Sequence, residues 1–243
     1  MNKEVETLDV GEDIRAQNAG WTFKGKVADT FGDHVRRSVP FYEAGHDLVC
    51  KLSDYFAKED SICYEIGTSV GELLFKLARH HRSKENIKWI GIDSEEAMIR
   101  KAHENLKGVH NVSLEAADVV HYDFEKADLI VSYYTLQFIP PKFRQQVIDK
   151  IYRSLNWGGA FILFEKVRGA DARFQDMMVT LYNDYKLEQK YSPGEIIAKT
   201  RSLKGVLEPF STQGNLDLLK RAGFVDYMTV MKYICFEGFL AIK

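Results

Sequence analysis

Residues 65–71 read Glu-Ile-Gly-Thr-Ser-Val-Gly, which places one acid, two glycines and two small hydroxyl residues within a single turn. Glycine lets a backbone approach a ligand closely, and a turn leading into a helix offers N–H groups without intrahelical partners. Acids recur downstream at Asp93 and Asp118. A carboxylate at the end of a strand can accept both hydroxyls of a ribose, and one at the next strand end can receive an adenine amino group. The pattern is wrong for phosphate. Its glycine spacing is neither G-x-G-x-x-G nor a P-loop ending in Gly-Lys-Ser/Thr, and Glu65 would repel a pyrophosphate. It suits a ligand carrying an ammonium and a sulfonium charge.

Those residues need strand ends to hold them. Apolar runs predict strands at Ser61–Ile66, Lys88–Asp93, Val112–Ala116, Asp128–Tyr133 and Ala160–Phe164. Helical periodicity falls between them, at Leu73–Ala78, after Ser94 with Glu95 and Glu96 in the first turn, and through Phe143, Val147, Ile151 and Leu155. Gly158 and Gly159 are expected to stop the last of these connections. Such alternation predicts a doubly wound α/β sheet, covered on both faces. Residues 1–20 are polar and glycine-punctuated and read as a mobile arm. Residues 21–57 read as N-terminal helices, including one over Glu43–Phe56.

Residues 166–210 carry no strand signal, only two helices. The second opens at Ser192-Pro193-Gly194-Glu195, a capping serine followed by proline and then glutamate at the third helical position. An insertion of this length in a compact fold reads as a cap over the ligand. The chain closes with a helix through Leu216, Leu219 and Ala222, ended by Gly223, and a hairpin of strands near Tyr227–Tyr233 and Phe239–Ile242. The whole is a seven-stranded, mostly parallel sheet in a three-layer sandwich, with the hairpin supplying one antiparallel strand.

Composition narrows the function. A formal charge of −2, with acids and bases interleaved, lacks the basic patch of a protein that grips nucleic acid directly, and a small-molecule substrate is expected instead. Cys50, Cys63 and Cys235 are scattered among apolar neighbours and match neither a disulfide framework nor a zinc motif. No apolar run reaches bilayer length and the acidic start is unlike a signal peptide, so a cytoplasmic location is expected.

An acid-x-Gly-x-x-x-Gly turn, an acid ending the second strand and a terminal hairpin resemble the class I S-adenosylmethionine-dependent methyltransferases. A closer resemblance runs from Trp21 to the C-terminus. Trp21-Thr22-Phe23, Arg37-Ser38-Val39-Pro40, Thr135-Leu136-Gln137-Phe138, Asp149-Lys150-Ile151-Tyr152 and Glu165-Lys166 resemble the carboxy-S-adenosylmethionine synthases. That family carboxylates the cofactor's methyl group at the expense of prephenate, for later modification of tRNA wobble uridine, and its members are usually dimers.

The resemblance implies roles. Tyr42, Gly67, Thr68 and Ser69 would line the amino-acid end of S-adenosylmethionine, Asp93 and Ser94 its ribose, and Asp118 and Val119 its base, with Glu65 and Gly71 bounding the cofactor-binding turn. Arg201 matches the arginine that holds the added carboxylate, a group suited to a guanidinium fork. Arg36, Arg37 and Arg168 are further candidates for the charge that meets a dianion. Tyr133 stands where the family has a cofactor-contacting asparagine, and as a catalytic residue it could orient a sulfonium through its ring or donate its hydroxyl. Methyl transfer to a small molecule and an internal reaction of the cofactor are the alternatives to carboxyl transfer.

Asp93→Ala is expected to abolish detectable cofactor binding, since each hydrogen bond to a charged group contributes roughly 1.5–3 kcal/mol. Calorimetric affinity within about twofold of wild type would leave Asp93 as no more than a cap.

Overall fold

The computed structural model describes residues 7–11, 14–23 and 27–243. Two short strands, β1 (Leu8–Asp9) and β2 (Arg15–Ala16), precede helices α1 (Val27–Ser38) and α2 (Tyr42–Ser53). Then come β3 (Ile62–Ile66), α3 (Glu72–His80), β4 (Lys88–Asp93), α4 (Glu96–Asn105), β5 (Val112–Ala116) and β6 (Ala127–Tyr133). Next are α5 (Pro141–Ser154), β7 (Leu155–Lys166), α6 (Ala172–Glu188) and α7 (Pro193–Ser202). The chain ends with α8 (Thr212–Ala222), β8 (Asp226–Tyr233) and β9 (Phe236–Ile242).

Seven strands form one sheet in the order β5-β4-β3-β6-β7-β9-β8. Neighbours from β5 to β7 pair in parallel, and β9 runs antiparallel to both β7 and β8. This is the expected class I methyltransferase sheet with its C-terminal hairpin.

Alternation along each strand divides the core between two faces. Leu129, Val131 and Tyr133 of β6 join Ile162 and Phe164 of β7 in the layer shared with α2 and α3. Ile130, Phe161 and Leu163 face the layer of α5 and α8, with Ile148, Ile151 and Leu219. These aliphatic side chains are fully or almost fully buried, each contributing roughly 1.5–3 kcal/mol to the folded state.

Three local expectations need correction. β7 is longer than its apolar run, because Gly158 and Gly159 lie inside it rather than ending a connection. There Gly158 N donates to Lys243 O at 2.8 Å, and Lys243 N donates to Gly159 O at 3.0 Å. Ser94 does not open α4; Glu95 holds the N-cap position without a side-chain cap. The arm expected over residues 1–20 is, in its described part, a hairpin lying on α7, while residues 1–6 fall outside the described residues. Val10 is wholly buried there. Ala19 N and Trp21 N donate to Arg201 O and Ser202 O, at 3.0 and 3.1 Å, which gives the Ser202 carbonyl at the end of α7 a partner and the Arg201 carbonyl, already bonded to Lys204 N, a further one.

The capping box is present as expected: Ser192 Oγ accepts from Glu195 N, and Glu195 accepts from Ser192 N. Gly223 closes α8 in the left-handed region, with φ of 114°.

His46 is buried between the rings of Tyr42 and Tyr133, whose centroids lie 4.4 and 4.7 Å from its own. Neither ring nitrogen has a hydrogen-bond partner, and burial pushes its pKa down to about 3. The unfolded chain takes up this proton near pH 6.5 and the folded chain only near 3, so stability is lost as pH falls across that window. His46→Phe is expected to raise stability at pH 7 by roughly 1 kcal/mol and to flatten the loss on acidification. Urea melts at neutral and mildly acidic pH check this; an undiminished acid slope is the contrary result.

Candidate cofactor and substrate cavity

A cavity of about 860 Å³ opens at the C-terminal ends of β3, β4, β5, β6 and β7, beneath α1, α6 and α7. The turn after β3 forms its floor. Gly67 and Ser69 adopt φ values of 69° and 52°. A Cβ at Gly67 would lie 2.1 Å from Thr135 Oγ1, so only glycine lets the loop after β6 come this close. The N–H groups of the turn are not open to a ligand as expected. Gly67 N and Thr68 N donate to Ile92 O at 2.7 and 3.0 Å, and Ser69 N donates to Asp93 Oδ2 at 2.8 Å. They lock the turn to β4.

The acids remain as acceptors along the cavity wall. Asp93 Oδ1 accepts from Glu95 N at 2.9 Å, which leaves further lone pairs on both oxygens. Burial raises its pKa. Asp118 Oδ1 accepts from Val120 N at 2.9 Å, next to the buried Val119. Glu65 is almost wholly buried, accepts from Thr68 Oγ1 at 2.6 Å, and burial pushes its pKa up to about 8.

Tyr42, Glu65, Gly67, Thr68, Ser69, Asp93, Ser94, Asp118, Val119 and Tyr133 all line this one cavity. Two of the expected residues do not. Gly71, with φ of 81°, is the N-cap of α3 and packs against the end of α4, where a Cβ would meet Leu106 at 2.8 Å. Arg201 is exposed on α7, while Lys199, Thr200, Leu203 and Lys204 face the cavity. Each helical residue turns the side chain by about 100°, enough to carry Arg201 off the face that Thr200 occupies.

Tyr133 needs a partial correction. Its hydroxyl donates to Tyr42 O at 2.7 Å and is not presented to a reacting group. The ring still lines the cavity, packed on Tyr42 and Phe164. Among the arginines, Arg36 is tied to Glu43 at 2.8 Å and to Glu72 at 3.0 Å, whereas Arg168 lines the cavity.

The opposite end of the cavity is cationic, and its two principal residues were not singled out from sequence. Lys166 Nζ lies 4.2 Å and Lys186 Nζ 4.5 Å from the centroid of the Tyr182 ring. No carboxylate of the described residues pairs with either ammonium. Burial lowers the pKa of Lys166. It pushes Lys186 down to about 8, with Lys166 adding to the effect. The available signal was Glu165-Lys166 at a strand end, together with a lysine on the same helix as Tyr182. The loop between β6 and α5 is held by Arg144, which donates to Ile139 O and Gln137 O at 2.8 and 2.9 Å, while Gln137 Oε1 accepts from Lys166 N at 2.8 Å.

The residues present fit S-adenosylmethionine. Glu65 is a buried acid without a cationic partner among the described residues, aromatic rings stand near it, and two carboxylates lie at the next strand ends. The fold and this donor set define an S-adenosylmethionine-dependent transferase of the methyltransferase superfamily. A methyltransferase-domain family model matches residues 64–159. A methyltransferase from Aquifex aeolicus shares the fold, with a TM-score of 0.61 and 16% identity over 91% of this chain and 99% of that one. The carboxy-S-adenosyl-L-methionine synthase of Staphylococcus epidermidis is 38% identical over 92% of this chain and 97% of its own. That of Sulfurimonas denitrificans is 36% identical over the whole of both chains. The chain belongs to the carboxy-S-adenosyl-L-methionine synthase family.

With a pKa of about 8, Glu65 is mostly protonated at pH 7 when no ligand is bound. A raised carboxyl pKa means that the ligand-free fold loses stability as pH climbs from about 4.5 to about 8. The cofactor's ammonium would favour the ionised form. Cofactor binding at pH 7 is therefore expected to release close to one proton from Glu65. Calorimetry in buffers of different ionisation enthalpy measures this, and Glu65→Gln should remove it. The same proton release in wild type and variant would mean that Glu65 does not meet the cation.

Proposed function

We propose that the chain transfers a carboxyl group from a small carboxylate, prephenate in the family's reaction, to the methyl group of S-adenosylmethionine: the acid loses CO₂ and a hydroxide, the hydroxide takes a proton from the methyl group to leave as water, and the CO₂ is captured by the methyl carbon. The cationic end of the cavity carries the reading. Lys166 and Lys186 stand beside Tyr182 with no acid paired to them among the described residues, as the site for an anionic donor requires. The cavity is of a size that holds a cofactor and a small second ligand together.

The bound cofactor supplies an activated methyl group next to a sulfonium. The chain's residues do the rest. Glu65, Asp93 and Asp118 hold the cofactor's cationic and nucleoside ends, Tyr42 and the ring of Tyr133 close the wall around its methyl group, and the lysines orient the acid. Proximity of the two ligands contributes much of the rate. Within this reading the protein works in the cytoplasm as a homodimer and supplies a cofactor for tRNA modification without touching nucleic acid. Arg201, exposed outside the cavity of its own chain, would be available to a second copy.

Methyl transfer to the same small acid is the second reading. It is favoured by the tyrosine at the family's asparagine position and by the lack of Arg201 in the cavity. Mass spectrometry after incubation with S-adenosylmethionine and prephenate separates the two. A cofactor heavier by CO₂ supports carboxyl transfer, and a methylated acid with demethylated cofactor supports the alternative.

Lys186→Met keeps the length of the side chain and removes the charge. Losing a buried charge contact costs about 2–5 kcal/mol, so KM for the acid should rise more than tenfold while cofactor affinity stays near wild type. Steady-state kinetics and calorimetry measure the two. Equal losses in both would place Lys186 outside the acid subsite.

A further inference from the structure

A cluster unrelated to the cavity lies where α2 and α3 end. Asp54 is the C-cap of α2, His80 the last residue of α3 and His81 its C-cap. Each offers one ligand atom, and the three atoms lie within 4.8 Å of one another, the one such group of histidine, cysteine and acid side chains among the described residues.

The hydrogen bonds set the protonation of His81. Ser53 Oγ donates its single hydrogen to Cys50 O at 2.6 Å. At 2.7 Å from His81 Nε2 the serine oxygen can therefore only accept, and Nε2 carries the proton. In the neutral ring, Nδ1 then presents a lone pair. It points toward Asp54 Oδ1 at 3.9 Å, too far for a hydrogen bond, and the same oxygen is 2.9 Å from His80 Nε2. A lone pair thus faces a carboxylate with nothing positive between them. The His80–Asp54 contact satisfies that pair, and no hydrogen bond within the described residues engages His81 Nδ1.

We propose that Asp54, His80 and His81 bind a divalent transition-metal ion of the zinc class. Two imidazoles and a carboxylate form a donor set that zinc accepts, with solvent completing the coordination. Zinc bonds of about 2.0–2.2 Å put tetrahedral donors on the order of 3.4 Å apart, and the observed 2.9 and 3.9 Å bracket that spacing. The carbonyl ends of both helices add negative potential. Ser53 holds the far nitrogen of His81, as a partner of a metal-bound imidazole commonly does. His81 is buried and stacked on Trp89, with centroids 5.5 Å apart and planes 25° apart, so it is a fixed ligand. Asp54 and His80 are exposed, free to adjust and to admit the ion. Lys84, a neighbouring cation, donates instead to Ala57 O. The ion would tie α2 to α3, the helices that begin at Tyr42 and just after the turn at 65–71. This inference does not depend on the reaction proposed for the cavity.

The test uses the full chain, stripped with chelator and titrated with Zn²⁺ against a chromophoric chelator and separately with Co²⁺. Expected are one bound equivalent, Co²⁺ absorption in the visible range, and quenching of Trp89 fluorescence by Co²⁺ at the same stoichiometry. His80→Ala and Asp54→Ala, both at exposed positions, should each weaken binding by at least about tenfold and abolish any rise in Tm with Zn²⁺. Absence of stoichiometric binding by wild type, or equal affinity in wild type and both variants, would overturn the proposal.

Discussion

The cavity exists because β3 lies between β4 and β6. Connections leaving the two sides of β3 run over opposite faces of the sheet, so a crevice opens at its C-terminal end. The turn after β3 must then fit between two neighbouring strand ends. It does so by bonding to Ile92 O and Asp93 on one side and by letting Thr135 come up against Gly67 on the other. A side chain at position 67 would push the β6 loop away. That loop, held by Arg144 and Gln137, in turn anchors the backbone of Lys166.

Charge along the cavity is separated rather than paired. Among the described residues, Glu65 at the end of β3 pairs with no cation, and Lys166 and Lys186, at the β7 side, pair with no acid. Burial opposes the charged state of both sets, and each is relieved by a ligand of the opposite sign. A ligand-free fold that leaves such groups uncompensated accepts a cost that binding repays. The arrangement discriminates by sign: Glu65 suits a cationic group and the two lysines suit an anionic one.

The layer beneath α2 shows how far an active-site position can be absorbed into the core. Leu129, Val131 and Tyr133 of β6 face the α2 layer, so Tyr133 points into a stack with Tyr42, His46 and Phe164. Gly45 makes room for it, since a Cβ there would lie 2.1 Å from Tyr133 Oη. The hydroxyl is consumed by Tyr42 O, and what remains for the ligand is the ring.

Features governed by neighbours in sequence were legible without a structure. The bounds of β4 and β5, the capping box at Ser192 and the stop at Gly223 follow from periodicity and local hydrogen bonding, and these act within a few residues. The strand-end acids were legible for the same reason, because a strand's direction fixes which end its last residue occupies. Residues whose roles depend on distant partners were not. The hydroxyl of Tyr133 is claimed by a carbonyl 91 positions away. Lys166 and Lys186 become one site only when α6 folds over the end of β7, and Arg201 leaves the cavity through the rotation of one helix. The polar segment before Trp21 lies on α7, where its N–H groups meet the last carbonyls of that helix, a contact that no property of the segment itself records. Local patterns determined which elements form and where the cofactor turn lies; packing between remote elements decided which side chains reach the cavity.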